Sequence, residues 1–330
     1  MTPRPLQICS TAVASPSQLL RASQLDERLG LMAGESERIT GIRQRYQSDT
    51  ETAAQLAATA CQAALQAARL QWADIDCLVA ASATMDKALP YNAAMIHAEL
   101  GLLQHRTMTM DMGASCLSFL SALDIISYAI GAGRFQNVML VSADISTFTV
   151  DYRNLRENGI FGDGGAAVVV RAAPQDSGSA ILAANSITIS AGVDYCHINA
   201  GGTRYHRRVP GSNSEAFFGM NGRAVFALAT REMPAFVEQL LADAGCSLDE
   251  IDLVVPHQAS RLALDHMMER LQISRDKCVD IFAEHGNQVG ASLPTALHHG
   301  LQNYGIQRGN KIMLLGTGAG LTIGGMILVY

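Results

Sequence analysis

Residues 117–141 read LSFLSALDIISYAIGAGRFQNVMLV, and this stretch contains one complete helix–turn–strand unit. Leu117 to Ile130 is almost entirely apolar and contains no Gly or Pro, which predicts a helix buried on most of its surface. Gly131-Ala132-Gly133 ends this helix. Val138 to Val141 is a short apolar run that predicts a strand buried on both faces. A buried helix followed by a buried strand is typical of an α/β protein.

The same alternation of helix and strand patterns continues along the chain. Thr50 to Leu70 is rich in Ala and other strong helix formers, and Cys77 to Ser82 follows it as a predicted strand. The other predicted elements are the strands Ala166–Val170, Leu253–Val255, Lys311–Leu315 and Gly325–Val329, and the helices Gly222–Ala244, Arg261–Leu271 and Pro294–Tyr304. The sequence therefore predicts an α/β fold over its whole length.

Features of the first half recur in the same order in the second half. The matching pairs are Asp74-Ile75-Asp76 with Glu250-Ile251-Asp252, Leu123 with Leu297, Met139 with Met313, and Gly164–Val168 with Gly324–Leu328. The offset is 176 or 174 residues, except in the last pair, where an insertion in the first half makes it smaller. We interpret this as two copies of one βαβ-rich unit, residues 1–172 and 173–330, related by a pseudo-twofold axis. The alternative is the general likeness of all α/β units.

Composition excludes several classes of function. Of the 330 residues, 48% are hydrophobic, only 5% are aromatic, and the net charge is −6, so nucleic acid is not expected as a partner. The seven Cys form no CxxC or zinc pattern, which indicates free thiols in a reducing cytosol. Neither a signal peptide nor an apolar span of about 18 residues is evident. We therefore expect a cytoplasmic protein without membrane insertion.

Cys116 is the first candidate for chemistry. It follows small residues in DMGASCLSFL (111–120) and directly precedes the apolar helix. A thiol at a helix N-terminus is close to free N–H groups that favour the thiolate, and a tight turn holds a nucleophile in place. The alternative reading is a thiol that only fills space in the core.

Two further segments contain polar residues where α/β sheets place ligands. His257 follows the strand in VVPHQAS (254–260), just past its carboxyl end. Asn287 lies in EHGNQVGASLP (284–294), where Gly286 and Gly290 permit unusual backbone conformations and close approach of a ligand. A structural hydrogen-bonding role for His257 and a turn role for Asn287 remain open on this evidence alone.

Three Gly-rich or polar segments complete the candidates. Residues 316–325, GTGAGLTIGG, form a predicted loop whose backbone N–H groups suit an oxyanion; no helix follows, so this is not a dinucleotide fingerprint. FGDGG at 161–165 is expected to be a bend that holds a neighbouring loop. The stretch Ala200–Phe217 is a predicted solvated loop, although its cluster of Arg204, Arg207 and Arg208 is also suited to a phosphate or a carrier protein.

Taken together, these motifs resemble the β-ketoacyl-ACP synthase III family of thiolase-like condensing enzymes. The resemblance runs nearly end to end, and its motifs are TGIR at 40–43, the turn at Cys116, FGDGG at 161–165, PHQAS at 256–260, HGNQVGASLP at 285–294 and GTGAGLTIGG at 316–325. It implies a thiolase-like fold in which two duplicated halves pack as five layers, α-β-α-β-α, with pseudo-twofold symmetry.

The resemblance also implies a decarboxylative Claisen condensation. Cys116 is expected to receive the acyl group, while His257 and Asn287 donate hydrogen bonds to the enolate formed from a malonyl thioester. The backbone N–H of Cys116 and the Gly318/Ala319 backbone are the expected oxyanion hole. Implied partners are acyl carrier protein, an acyl-CoA or acyl-ACP donor, the malonyl thioester and a second copy of the chain, with no bound cofactor.

The sequence departs from the family where coenzyme A is held. Family members place a Trp just upstream of TGIR, where this chain has Glu35, and often an Arg where Ile39 stands. Leu155 aligns near the second adenine-contacting position, and the only Trp, Trp72, lies in another element. The sequence therefore predicts that the acyl donor arrives on a carrier protein or that a different surface binds the nucleotide.

A second departure concerns the acyl pocket. Leu89, before Pro90, stands where housekeeping members have a Phe that reaches across the dimer and shortens the pocket. The smaller side chain predicts tolerance of medium-chain donors. Two other functions stay open: a non-decarboxylating acyltransferase of specialised metabolism on the same fold, and a non-catalytic partner subunit of a condensing heterodimer.

Overall fold

The computed structural model describes residues 2–203 and 213–330, and helices and strands are mixed along both ranges. The strands are β1 (Arg4–Pro5), β2 (Gln7–Ala14), β3 (Gln18–Arg21), β4 (Gln44–Gln47), β5 (Cys77–Ala80), β6 (Met108–Asp111), β7 (Asn137–Asp144), β8 (Gly164–Arg171), β9 (Ala180–Thr188), β10 (Cys196–His197), β11 (Gly219–Met220), β12 (Leu253–Pro256), β13 (Lys311–Gly318) and β14 (Thr322–Val329). The helices are α1 (Ala22–Leu29), α2 (Glu35–Thr40), α3 (Ala53–Ala68), α4 (Asn92–Glu99), α5 (Ser118–Gly131), α6 (Leu155–Asn158), α7 (Gly222–Ala244), α8 (Arg261–Leu271), α9 (Phe282–His285) and α10 (Ser292–Asn303).

The two large sheets have the same strand order. The first sheet has the order β2-β8-β7-β5-β6, and the second has the order β1-β9-β14-β13-β12. Strands β9, β14, β13 and β12 of the second sheet correspond to β2, β8, β7 and β5 of the first. Within each, two strands run parallel (β5 with β7, β12 with β13) and the following strand is antiparallel. A parallel bridge from Val254 to Cys278 stands where β6 stands in the first sheet. The shared topology supports the duplication; the division at 172/173 stays a prediction, and Arg4–Pro5 pairs with the second half.

The core is arranged in five layers, as predicted. Side chains alternate across each strand: in β7, Val138 and Leu140 face the central helices α5 and α10, whereas Met139 and Val141 face α3 and α4. In β13, Ile312 faces the same central helices, and Met313 faces α7 and α8. The order of layers is therefore α3/α4, first sheet, α5/α10, second sheet, α7/α8. Both faces of each sheet are covered, which explains their continuous apolar runs.

The predicted elements are confirmed, although many of their ends differ from the prediction by one to three residues. Helix α10 begins at Ser292 rather than Pro294, because a Pro in the first turn removes only an N–H that has no partner within the helix. The stretch 316–325 was predicted to be a loop, and this prediction was wrong: β13 continues to Gly318 and β14 begins at Thr322, so only Ala319–Leu321 form the turn. Within the described residues, no helix combines the length and apolarity needed to cross a membrane.

Candidate active site

A cavity of about 760 Å³ lies between the two halves of the chain, and Cys116, His257 and Asn287 all line it. Cys116 precedes α5 in the central layer, His257 follows β12, and Asn287 follows α9. The structure thus brings together the three side chains that the sequence marked as candidates. The turn residues Gly318 and Ala319 line the same cavity.

Cys116 is held in a tight turn. Residues Ser115–Leu117 form a single 3₁₀ turn before α5, and Ser115 has a left-handed φ of 56°. The hydroxyl of Ser118 accepts the N–H of Ala114 at 2.9 Å and donates to the carbonyl of Ser115 at 2.7 Å. Leu117 is fully buried and packs closely over Gly324, where a Cβ atom would lie 3.0 Å from it. The turn therefore fixes the position of the sulfur.

The prediction that this position favours the thiolate was wrong. Burial and, to a smaller extent, the carboxylate of Asp144 raise the pKa of the Cys116 thiol, and the N–H of Ala319 partly offsets them, so that the pKa lies at about 12. Although Cys116 is only partly buried, loss of hydration around its sulfur outweighs a few peptide dipoles. The sulfur is held as a neutral thiol beside a backbone donor.

Asp144 is a functional neighbour that the sequence analysis missed. It ends β7 and is fully buried, which raises its pKa to about 6. Its carboxylate accepts the N–H groups of Ala83, Thr84 and Ala291, at 2.8, 2.6 and 3.1 Å. The only signal in the sequence was an acidic residue closing an otherwise buried strand. Asp144 therefore joins three backbone segments around the nucleophile turn.

His257 is held as a neutral imidazole. Its backbone N–H donates to the carbonyl of Leu315 at 2.8 Å, and a Cβ on Gly316 would lie 2.7 Å from the His257 Cβ, so only Gly fits there. Burial lowers the pKa of His257 to about 4. Its Nδ1 has no hydrogen-bond partner among residues 2–203 and 213–330. A neutral imidazole carries one N–H that is able to donate to a developing oxyanion.

The carboxamide of Asn287 has a fixed orientation. Its Nδ2 donates to the carbonyl of Ala259 at 3.2 Å, and its Oδ1 accepts the N–H of Val289 at 2.8 Å. Because Nδ2 carries two hydrogens, one remains available to a ligand. Val289 has a left-handed φ of 52°, an unusual conformation for a β-branched residue. The backbone around Asn287 is therefore strained, as is common at ligand sites.

The FGDGG segment (161–165) holds neighbouring loops in place next to the site, as predicted. The carboxylate of Asp163 accepts the N–H groups of Ser48, Ser146 and Thr147 at 2.7 to 2.9 Å. A Cβ on Gly162 would lie 2.0 Å from the carbonyl oxygen of His285, so the bend packs directly against the segment that precedes Asn287. This bend holds neighbouring loops and shows no phosphate-binding arrangement of its own.

The turn opposite Cys116 matches the expected oxyanion hole in position. The N–H of Ala319 points at the sulfur, and a Cβ on Gly318 would lie 3.3 Å from the carbonyl of Ala114. Leu321, in the same turn, has a left-handed φ of 44°. Non-Gly residues with a left-handed φ thus occur near Cys116, near Asn287 and in the turn that contains Ala319, and sequence patterns did not reveal them. The oxyanion role of Gly318 and Ala319 stays a prediction.

Of the remaining candidates, only Leu89 belongs to the part of the chain that the structure describes. Leu89 is 83% exposed and does not line the cavity of its own chain. Arg204, Arg207 and Arg208 lie outside the described residues. Cys196, which the sequence analysis did not select, does line the cavity, and its charge would further raise the pKa of Cys116.

Comparison with known proteins agrees with this geometry. The family model described as 3-oxoacyl-[acyl-carrier-protein (ACP)] synthase III matches residues 110–190, and its C-terminal counterpart matches residues 241–330. The β-ketoacyl-[acyl-carrier-protein] synthase III of Pseudomonas aeruginosa PAO1 is 32% identical over 99% of this chain and 97% of its own. That of Aquifex aeolicus is 29% identical over 98% and 99%.

Solved structures give the same result. The crystal structure of the 3-oxoacyl-(acyl carrier protein) synthase III of P. aeruginosa PAO1 superimposes with a TM-score of 0.87 at 30% identity, covering 99% of this chain and 98% of the other. OleA of Xanthomonas campestris shares the fold, with a TM-score of 0.86 at 20% identity and complete coverage of both chains. Sequence, fold and cavity agree, and the chain belongs to the 3-oxoacyl-[acyl-carrier-protein] synthase III family.

Proposed function

We propose that the chain is an acyltransferase that joins an acyl thioester to a malonyl thioester by decarboxylative condensation. The observation that carries the proposal is the convergence of Cys116, His257 and Asn287, from both halves of the chain, on one cavity. These groups supply a nucleophile and two neutral hydrogen-bond donors. Neither the acylation of Cys116 nor the decarboxylative condensation requires a bound cofactor, because the reactive carbon and the leaving CO₂ both come from the substrates.

In the first step, the Cys116 sulfur attacks the carbonyl carbon of the donor thioester. The tetrahedral oxyanion accepts hydrogen bonds from the backbone N–H groups of Cys116 and Ala319. The bond to the donor sulfur then breaks, and the donor thiol leaves with the proton that Cys116 gives up. Since a thiol replaces a thiol, the exchange is close to balanced in energy, and positioning is the main contribution of the protein.

In the second step, the malonyl thioester loses CO₂. The electron pair of the broken C–C bond moves onto the thioester oxygen, which accepts hydrogen bonds from His257 and the free N–H of Asn287. The enolate carbon then attacks the acyl carbonyl on Cys116, a C–C bond forms, and the sulfur leaves and is reprotonated. A neutral His257 is able to fill this role because one of its ring nitrogens still carries an N–H that donates to the oxygen.

Intact-mass spectrometry with a panel of acyl-CoA and acyl-ACP donors tests the first step. We expect one acyl group per chain, absent from Cys116→Ser and still present in His257→Ala and Asn287→Asp. Release of CO₂ from malonyl-ACP tests the second step, and we expect these two variants to lose about 10²–10³ in rate. Cys246→Ser, which alters a thiol that does not line the cavity, is the matched control.

Three outcomes would contradict the proposal. Absence of any acyl adduct on the parent protein would favour a non-catalytic subunit. An adduct that persists in Cys116→Ser would place the nucleophile elsewhere. An acyl-enzyme that forms normally but transfers its acyl group to an alcohol or amine, with no CO₂ released from malonyl-ACP, would identify a non-decarboxylating acyltransferase.

We further propose that the donor arrives on acyl carrier protein rather than on coenzyme A. Glu35 and Ile39 occupy the positions where the family is expected to clamp the nucleotide. Glu35 pairs with Arg38, and Ile39 packs against the apolar cluster around Leu25. The exposed Arg38, Arg156 and Arg270 line the cavity and suit an acidic carrier.

Single-turnover acylation of Cys116 distinguishes the two carriers. We expect octanoyl-ACP to react faster than octanoyl-CoA, and Arg156→Ala to slow only the reaction with octanoyl-ACP. Arg134→Ala, at an exposed residue that does not line the cavity, is the control. Micromolar affinity for acyl-CoA that disappears when the adenine is removed would overturn this assignment.

We also propose a homodimer formed through the edge of the first sheet. Strand β6 ends that sheet, and the nearby Met108, Leu89 and Leu103 are 43%, 83% and 78% exposed. An unpaired strand edge beside exposed apolar side chains favours pairing with another copy. Light scattering should give a molecular mass of twice the 35.2 kDa chain mass. In Met108→Lys, the measured mass should fall toward that of one chain. A parent protein that stays monomeric at micromolar concentration would contradict the proposal.

A further inference from the structure

The side chain of Gln258 lies between the two segments that carry the hydrogen-bond donors of the site. Gln258 directly follows His257 and is fully buried, with 0% of its surface exposed. The residues on either side of it, His257 and Ala259, line the cavity, whereas Gln258 does not. A buried carboxamide destabilises a fold unless its donors and its acceptor are paired. The partners of Gln258 therefore show what its burial achieves.

The Gln258 carboxamide bonds to three backbone groups. Its Nε2 donates to the carbonyl oxygens of Pro256 and Val279, both at 3.0 Å, and its Oε1 accepts the N–H of Ile281 at 3.1 Å. A primary amide offers two N–H donors and one carbonyl oxygen, so this arrangement pairs both donors and the acceptor. The side chain thereby joins the end of β12 to residues 279–281, the segment that leads into α9.

One end of this link determines where His257 lies. The Nδ1 atom of His257 has no hydrogen-bond partner within residues 2–203 and 213–330, so the backbone and the packing place the imidazole. On one side of His257, Gln258 holds the carbonyl of Pro256. On the other side, the N–H of Ala259 donates to the His257 carbonyl at 2.9 Å. Loss of the Gln258 bonds would therefore loosen the peptide that carries the imidazole.

The other end of the link reaches Asn287 by two routes. The carbonyl of Ala259, next to Gln258, accepts a hydrogen bond from Nδ2 of Asn287 at 3.2 Å and so orients that carboxamide. The carbonyl of Ile281, whose N–H is bound by Gln258, accepts two N–H groups of α9, both at 3.1 Å. One residue separates α9 from Asn287. Displacement of Gln258 would therefore shift Asn287 together with His257.

On the basis of the proposed function, we propose that Gln258 is a positioning residue for decarboxylation, and that its carboxamide keeps His257 and Asn287 at the spacing at which both donate to one malonyl oxygen. Donors stabilise a developing charge most when they are in place before the reaction begins, and a misplacement of about 1 Å costs about 100-fold in rate. Cys116 belongs to the turn before α5, and none of these three Gln258 bonds reaches that turn. Acylation of Cys116 should therefore proceed without Gln258.

The variant Gln258→Met separates positioning from general stability, because Met has a similar volume but no N–H donor. The readouts are CO₂ release by the acylated protein at saturating malonyl-ACP and single-turnover acylation of Cys116 by octanoyl-ACP, followed by intact mass. We expect CO₂ release to fall about 100-fold while acylation stays within about twofold. Gln7→Met is the matched control: Gln7 is 9% exposed and accepts a hydrogen bond from Arg171, but it does not line the cavity. It should leave both rates unchanged.

The variant Gln258→Glu adds a readout that a purely structural role would not change. When the new carboxyl group is protonated, it accepts from Ile281 and donates one O–H to a backbone carbonyl; when ionised, it has no donor, and its charge faces two carbonyl oxygens. Its rate of CO₂ release, relative to the parent at the same pH, should therefore rise as the pH falls from about 8 to about 6. The same ratio for Gln258→Met should stay constant. The charged pair on this segment, Asp280 and Arg261, is the same in both variants.

Each other result overturns the assignment. Equal losses of acylation and CO₂ release in Gln258→Met would show that the side chain only stabilises the fold, and unchanged CO₂ release would show that the donors keep their places without it. If Gln258→Met does not fold, Gln258→Glu decides: a constant ratio would mean that the bonds to the backbone carbonyls do not control the donors. A parent protein that forms the acyl-enzyme but releases no CO₂ would instead contradict the proposed function, and Gln258 would then have no decarboxylation to assist.

Discussion

The backbone N–H of Ala291 donates a 3.1 Å hydrogen bond to a carboxylate oxygen of Asp144, 147 residues earlier in the chain. The other oxygen accepts the N–H groups of Ala83 and Thr84. One buried carboxylate thus joins the end of a strand in the first half to the start of α10 in the second. A carboxylate that accepts several backbone N–H groups forms strong hydrogen bonds with them. A buried N–H that loses this acceptor destabilises the folded chain.

Asp144→Asn should lower the free energy of unfolding by about 2 kcal/mol. The amide keeps the size of the carboxylate, but its NH₂ group cannot accept a hydrogen bond, so one set of backbone N–H groups loses its partner. Urea denaturation measures the change. Asp176→Asn, at an exposed turn, is the control and should have almost no effect. Equal midpoints for the two variants would show that the carboxylate is not a structural junction.

Alkylation of Cys116 by iodoacetamide should accelerate continuously as the pH rises from 7 to 10. Because the thiol has a pKa of about 12, the thiolate fraction increases about tenfold per pH unit over this range. Mass spectrometry of the Cys116 peptide gives the rate. Asp144→Asn should raise the rate at a given pH by removing a nearby negative charge. A plateau below pH 8 would mean that the helix N-terminus, rather than burial, controls this sulfur.

Acid should destabilise the protein through two histidines, of which His257 is buried and His285 is partly buried. Burial lowers the pKa of both His257 and His285 to about 4, against about 6.5 when unfolded. Between these values the unfolded chain binds more protons, so the stability that they contribute is complete above about pH 6.5 and is lost as the pH falls to 4. Together, the two histidines lower the free energy of unfolding by up to about 2.7 kcal/mol for each unit by which the pH falls between about 6.5 and 4.

The variant His285→Gln isolates one of these groups. Denaturation at pH 4 to 7 should show a shallower pH slope than in the parent. Asp144 acts in the opposite direction, since its pKa is raised to about 6, but it is unchanged in the comparison and cancels. His105→Gln, at an exposed residue, should leave the slope as it is. An unchanged slope in His285→Gln would indicate that His285 is already hydrated in the folded chain.

Gly316→Ala should impair decarboxylation more than acylation. The added methyl group would lie 2.7 Å from the His257 Cβ and 3.1 Å from Leu117, so the imidazole must move from its place beside the malonyl oxygen. We expect CO₂ release to fall about 100-fold, as after a small misplacement of a catalytic group. Gly131→Ala is the matched control because nothing lies within 4 Å of its new Cβ. Equal losses in both half-reactions would show general damage to the turn.

The layers and the regular elements could be predicted because their signals are local. Helix α7 begins and ends at the predicted residues, Gly222 and Ala244, since most of its residues favour a helix despite Pro234 in its interior, and Gly245 adopts the left-handed conformation that ends it. The convergence of Cys116, His257 and Asn287 could not be read from spacing, since they are far apart in the chain. The family motifs supplied it.

Other features depended on three-dimensional context. The protonation of Cys116 is set by its desolvation, which no local pattern measures, so the helix N-terminus alone gave the wrong direction. Asp144 was missed because its partners come from segments near 83 and 291. The positive φ values at Ser115, Val289 and Leu321 are imposed by tertiary packing on residues that do not favour them.

The position of α5 has a consequence for how such a protein can change. The helix that follows the nucleophile belongs to the layer between the sheets, and its apolar surface is covered on one side by each repeat. A single repeat released by proteolysis or gene truncation would expose that surface to water and would leave the thiol without its imidazole and carboxamide. A single repeat would therefore need a second copy to cover this helix and to complete the site.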